Sequence, residues 1–166
     1  YSTWDDNAQG NIRVVVLKNS ESKNLLSEPG KYIEPSFSPN GETVVFRKFI
    51  DSGVLDPSYN VAPGIYHVSA NGGAAKLITR QGREPHFGER NDRIYVHRDG
   101  EMPSLTQVDL DGKNEKTIYI IKYASEFKMS PTGTQLGFVE HYRVRPIPHV
   151  ESDQSITITD AASHPD

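Results

Sequence analysis

Six histidines stand in this 166-residue chain, His67, His86, His97, His141, His149 and His164, beside 22 acidic residues and no cysteine. Hydrolysis at a pair of metal ions needs a His-x-His pair, further histidines and an aspartate, because two adjacent cations must be held by several neutral imidazoles and carboxylates. No two of the six histidines have that spacing, so they read as strand and loop residues. There is no Gly-x-Ser-x-Gly elbow for a nucleophilic serine, and no glycine-rich loop ahead of a helix to cradle phosphate. Without cysteine there is no disulfide and no thiolate chemistry. The chain is therefore expected to have no catalytic residue, no metal and no cofactor of its own.

Three glutamates form a more promising set. Glu34, Glu84 and Glu126 each open a phrase that recurs along the chain, so a radially repeating fold would place them at one height around a central channel. Three carboxylates at a channel mouth would repel one another, raise some pKa values and attract a cation or a basic partner segment. The competing reading is that each caps a loop or pairs with a neighbour such as Lys31, Arg83 or Lys128. A second candidate is the stretch 49–63, where Leu55, Asp56 and Tyr59 suit either a recognition loop or a solubilising excursion. Asp109-Leu110-Asp111-Gly112 has oxygen ligands at alternate positions, as a calcium loop does. It lacks the glutamate at the twelfth position and the flanking helices, so a hairpin turn is the better reading.

The elements that must position these residues emerge from the repeat itself. EPSFSPNGETVVF (34–46), EPHFGERNDRIYV (84–96) and EFKMSPTGTQLGF (126–138) share a glutamate, an apolar anchor three residues later, a polar turn and a short apolar run. The anchors Phe37, Phe87 and Met129 recur after 50 and then 42 residues. A second phrase comes after the first two, GIYHVSANGGAAKLIT (64–79) and PSLTQVDLDGKNEKTI (103–118), with Val68 matching Val108 and Gly72 matching Gly112. An earlier copy, NIRVVVLKNSESKNLL (11–26), aligns Val16 with Val68 and Leu25 with Leu77. The longer first interval places an insertion at 49–63. Alternation in Thr43–Phe46 and Arg93–Val96, punctuated by Asn-Gly, Asp-Gly and Ser-Pro-x-Gly turns, specifies strands joined by tight hairpins. No 12-residue window has a helical period. Four strands per unit at a period near 42 predict β-propeller blades, and a β-sandwich gives no reason for one phrase to return at one offset.

Ser38-Pro39-Asn40-Gly41 and Ser130-Pro131-Thr132-Gly133, with their adjoining strands and hairpins, resemble the Ser-Pro-Asp-Gly turn of TolB-like, WD-repeat-like propeller blades. The resemblance implies an all-β fold, a TolB-like β-propeller segment of about three to four four-stranded blades. It implies an innermost strand at Glu34–Ser38, a second at Glu42–Arg47, a third at Gly64–Ser69 and an outermost at Ala75–Thr79. Gly88-Glu89-Arg90-Asn91 departs from the turn pattern. Thr3-Trp4-Asp5-Asp6, Tyr32-Ile33-Glu34-Pro35 and Phe138–Val144 leading into Pro146-Ile147-Pro148 further resemble the propeller part of proteins in which a TolB-like propeller precedes a metal-dependent amidohydrolase. On that resemblance the catalytic domain would come after this segment in the parent protein.

The expected organisation is a partial blade at 1–30, a blade at 31–80 with its insertion, a blade at 81–122 and a partial blade at 123–166. Closed propellers hold four to eight blades, so an arc of this size is expected to self-associate through its open blade edges or to belong to a longer ring. A net charge of −4 argues against nucleic acid, and no apolar run is long enough for a membrane span. The chain opens on Tyr1-Ser2-Thr3-Trp4 without methionine and is expected to be processed or trimmed. Its expected role is a non-catalytic module binding a protein, a peptide or the substrate of an adjacent catalytic domain, in the periplasm or outside the cell. The alternative is an accessory portion of a larger amidohydrolase or propeller-bearing peptidase.

Overall fold

The computed structural model describes residues 1–7, 9–49 and 62–159, and the described residues form strands and turns with no helix. The first sheet holds β1 (Ser2–Thr3), β2 (Asn11–Val16) and β3 (Glu21–Asn24). The second holds β4 (Tyr32–Phe37), β5 (Thr43–Lys48), β6 (Gly64–Ser69) and β7 (Lys76–Thr79). The third holds β8 (Arg83–His86), β9 (Arg93–Arg98), β10 (Ser104–Asp109) and β11 (Lys116–Ile121), and the fourth β12 (Ala124–Met129), β13 (Gln135–Glu140) and β14 (Arg143–Pro148). Each is an antiparallel meander in chain order. The second sheet has the four-strand order that the resemblance implied. A last strand, β15 (Ile156–Ile158), leaves the fourth unit and pairs in parallel with β11, setting Tyr119 opposite Ile156 and Ile121 opposite Ile158.

The sheets stack as wedges because the period of two delivers apolar side chains to both faces. On β5, Val44 and Phe46 join Ile12 and Leu25 in the core between the first two sheets. Val45 turns the other way, to Ile94 and Val96 of the third. On β9, Tyr95 points back out toward Phe127, Leu136 and Phe138 of the fourth sheet. Each such side chain, once buried, contributes about 1.5–3 kcal/mol.

The Ser-Pro-x-Gly turns are built alike. Ser38 Oγ accepts the Thr43 amide at 3.0 Å and Ser130 Oγ the Gln135 amide at 3.0 Å, while Gly41 (φ +72°) and Gly133 (φ +68°) reverse the chain. In the departing unit Gly88 lies so close to Tyr95 and Met129 that a Cβ there would sit 2.9 Å from the tyrosine ring. Asn91 still joins its neighbour, accepting the Asn40 amide at 3.0 Å.

Two expectations change. Asn19 N–H bonds to Val16 C=O as Gly72 N–H does to Ser69 C=O, so Val16 matches Ser69 and it is Val15 that matches Val68. The one-residue slip moves Val16 from a core position to the hairpin end, where it is 48% exposed. Of the three anchors, Phe87 and Met129 are buried but Phe37 is 50% exposed. The matched turns make β1 the counterpart of β5, so the first sheet has no innermost strand among the described residues to cover Phe37.

The hairpin tips of β6–β7 and β10–β11 each press on the preceding sheet. A Cβ on Gly112 (φ +81°) would lie 2.5 Å from the Ile78 carbonyl oxygen, whereas one on Gly41 would meet nothing within 4 Å. Replacing either glycine by alanine incurs the left-handed penalty of about 1–2 kcal/mol, and only Gly112→Ala also forces the sheets apart. Urea unfolding should show Gly112→Ala losing at least about 1 kcal/mol more than Gly41→Ala. Equal losses would contradict the wedge contact.

Candidate functional site

The three glutamates sit where the inner strands begin, and each inner strand is irregular there. The ladder slips between Ile33 and Ser36, between Arg83 and His86, and between Ala124 and Glu126. In the first two the slip is a Glu-Pro pair with the glutamate in the left-handed region, at φ 57° for Glu34 and 53° for Glu84. A non-glycine residue in that region, and directly before a proline, has few allowed conformations, so surrounding contacts must hold it.

Those contacts run from one inner strand to the next. Glu34 Oε2 accepts the Glu84 amide at 2.5 Å, and its Oε1 lies 3.4 Å from Arg47 Nη1. Arg83 pairs with the Glu84 carboxylate, donates from Nε to Asp99 Oδ1 at 2.9 Å, and donates from Nη2 to the Ser125 carbonyl at 2.6 Å. The second, third and fourth sheets are thereby joined hand over hand where the inner strands begin. Glu84 Oε2 is shielded from solvent without a hydrogen bond. Burial above all pushes its carboxyl up, Glu126 and Glu34 push the same way, and Arg83 and Lys128 oppose them.

Next to these contacts lie two buried imidazoles, His86 and His97. His86 Nδ1 bonds to the Glu84 carbonyl at 2.9 Å and Nε2 accepts the Met129 amide at 2.9 Å, which fixes a neutral ring bridging β8 and β12. Burial holds its pKa down at about 4. His97, edge-on to Phe127 with centroids 4.9 Å apart, is held at about 4 by burial and by the Arg83 charge.

The structure thus brings Glu34 and Glu84 into one hydrogen-bonded unit, with Glu126 close enough to act on it through charge and its own side chain exposed. Arg83 is a partner of Glu84, and Glu34 takes Arg47 in place of Lys31, whose ammonium lies over the rings of Trp4 and Phe49. Leu55, Asp56 and Tyr59 lie outside the described residues. Among the described residues no group of three or more His, Cys, Asp or Glu is placed to hold a metal ion. The oxygens of the Asp109–Glu115 turn have protein partners: Asp111 accepts the Lys113 amide at 3.0 Å, Asp109 Oδ2 accepts from Asn114 at 2.7 Å and Glu115 pairs with Arg98 at 2.7 Å. Arg83 was visible in the sequence only as a nearby cation. Its bond to Ser125 spans 42 positions and has no local signal.

No known protein family and no curated protein matches the sequence. Solved structures do match the fold. A TolB structure from Acinetobacter baumannii superposes with TM-score 0.64 at 18% identity, over 89% of this chain and 40% of that one. A structure assigned to TolB of Agrobacterium tumefaciens gives 0.68 at 17% identity, over 89% and 56%. An oligogalacturonate lyase in complex with manganese gives 0.58 at 13% identity, over 83% and 45%. The fold is a TolB-like β-propeller segment, and the chain spans about half the length of these structures. No helix among the described residues is long and apolar enough to cross a membrane.

The buried imidazoles generate a pH prediction. Unfolded, each titrates near 6.5; folded, near 4. The native state therefore binds fewer protons in between, so stability is full above pH 6.5 and falls as the pH drops toward 4. His86 alone accounts for up to about 3 kcal/mol of that fall. Glu84, with its raised pKa, acts in the opposite direction: its stabilisation is present in acid and is lost as the pH rises through its folded value. Urea unfolding of His86→Gln across this window should show a shallower decline than the parent protein, and an unchanged slope would remove His86 from the account.

Proposed function

We propose that this chain is a non-catalytic interaction module whose channel mouth, lined by Glu34, Glu84 and Glu126, receives a basic segment of a protein or peptide. The observation that carries the reading is Glu84: a desolvated carboxylate with one oxygen unpartnered, set in a strained backbone, beside the exposed Glu126. A lysine or arginine arriving at the mouth would pair with the exposed Glu126, with the Glu84 and Glu34 carboxylates behind it adding to the attraction. β5 ends and β6 begins at this end of the second sheet, and on the sequence alone Leu55, Asp56 and Tyr59 are further candidates for the proposed surface. The scaffold shared with TolB structures supports a periplasmic or extracellular setting and a protein or peptide partner.

Binding of a fluorescently labelled lysine- and arginine-rich peptide, monitored by anisotropy, tests the reading. The triple change Glu34→Gln, Glu84→Gln, Glu126→Gln should weaken it at least about tenfold, and added salt should weaken the parent protein likewise. Glu126→Gln alone, which disturbs no hydrogen bond, should cost severalfold. Unchanged affinity in both variants dismisses the mouth as the site.

A second reading concerns the ends of the arc. Phe37 is 50% exposed and Val144 77%, surfaces that interior sheets bury, so the open ends favour self-association or further blades. Light scattering should give a mass above that of one chain, and an ideal monomer at high concentration would end this reading. The accessory role beside a hydrolase rests on the sequence resemblance and on the occurrence of the scaffold in an enzyme, the oligogalacturonate lyase.

A further inference from the structure

The fourth sheet has three strands where the second has four, so the rim between the third and fourth sheets lacks an outer strand on one side. The chain leaving β14 crosses that gap before β15 docks on β11. Between the crossing segment and the third sheet lies a cleft of about 320 Å³. Arg93, Gln107 and Lys116 line its sheet side, and His149, Glu151 and Asp153 its other side. Gln107 stands opposite both Tyr95 and Lys116, and Arg93 lies two residues before Tyr95, so the three polar side chains share one face. Arg93 and Lys116 begin β9 and β11. The cleft is therefore at the end of the sheets opposite the glutamate mouth.

The charges in this cleft do not pair across it. Arg93 Nε is shielded from solvent without a hydrogen bond, with carboxylate oxygens of Asp109 and Asp92 at 3.7 and 3.9 Å. Lys116 Nζ donates to the Ser152 carbonyl at 2.5 Å, which pins the crossing segment and leaves its charge uncompensated by a carboxylate. His149 is held by Tyr119, ring nitrogen to hydroxyl at 3.0 Å. Glu151 and Asp153 make no hydrogen bond or ion pair with any described residue. Cations on one wall thus face free carboxylates on the other across a space at the lower end of ligand-pocket size, about 300 Å³ upward. A purely anionic ligand would meet the carboxylates, and a purely cationic one would meet Arg93 and Lys116. Only a molecule with both signs, separated by a few bonds, satisfies both walls.

We propose that this cleft binds a small zwitterion of about dipeptide size, its carboxylate toward Arg93 and Lys116 and its ammonium toward Glu151 and Asp153. The experiment is calorimetric titration of the full chain with alanyl-alanine, against N-acetylalanine and alaninamide as carriers of one charge each. The zwitterion should bind at least about tenfold more tightly than either control. In Glu151→Gln/Asp153→Asn that advantage should vanish while weak binding of N-acetylalanine persists. In Arg93→Gln the advantage should vanish while alaninamide binding persists. Both variants change side chains without touching the Lys116–Ser152 tie or β15, and unchanged urea midpoints would verify their folding. Equal binding of all three compounds, preference for a single-charge control, or no heat from alanyl-alanine at millimolar concentration would each overturn the proposal. Loss of basic-peptide binding at the mouth would leave this result untouched, since the two sites share no residue.

Discussion

The two interior sheets of this protein are apolar on both faces, and each depends on a neighbour on either side to cover them. Val44 and Phe46 need the first sheet, Val45 needs the third, and the third in turn needs the fourth through Tyr95 and Leu105. Stability therefore accrues from neighbour contacts along the stack, as in other repeat architectures, and not from one central core. A missing strand or neighbour leaves its mark toward both ends of the described arc. Phe37 of the second sheet occupies a position whose counterparts Phe87 and Met129 are buried, and it is exposed because, among the described residues, no inner strand of the first sheet lies against it. Val144 faces outward from the last sheet for the same reason. The stacking rule thus accounts both for what is buried and for where the arc remains receptive.

At the mouth the rule changes from apolar to polar. The inner strands are joined by Glu34 to the Glu84 amide, Arg83 to the Ser125 carbonyl, and His86 to the Met129 amide. Each of these bonds links one sheet to the next. A group that bound Glu84 and altered its charge would act directly on the joints of the stack, because the same carboxylate pairs with Arg83. Any ligand of the proposed mouth would therefore act on the cohesion of the arc through this shared carboxylate.

Much of this was legible in the sequence, and the remainder was hidden for identifiable causes. The turns were readable because Gly41, Gly72, Gly112 and Gly133 mark backbone that other residues enter only with strain, and all four have positive φ. The strands were readable from alternation bounded by those turns. The earliest copy was misregistered by one residue because Val14-Val15-Val16 offers the same side chain at each position, so pattern alone could not say which valine faces the core. The left-handed glutamates were hidden because nothing in a Glu-Pro pair announces that conformation. Arg83 and His86 were hidden because their partners lie 42 and 43 residues away. The cleft beneath the crossing could not be read at all, since Ile156-Thr157-Ile158 would suit any open strand edge and only the fold decides which one it takes.

That decision rests on proline. His149 donates its amide to Thr134 across the β13–β14 ladder, so by alternation Val144, Pro146 and Pro148 direct their backbone nitrogens to the open edge of β14. Two of those three nitrogens carry no hydrogen, and a strand laid along this edge would lose most of its donors. The outer edge of β11 has no proline and keeps its donors and acceptors, and there β15 pairs. Among the described residues no strand pairs with the outer edge of the last sheet, which is thereby blunted, while its face, with Val139, Val144 and Gly137, is left uncovered. Growth of this arc beyond the fourth sheet is therefore expected face to face, one wedge leaning on another, with edge pairing reserved for the segment that crosses back.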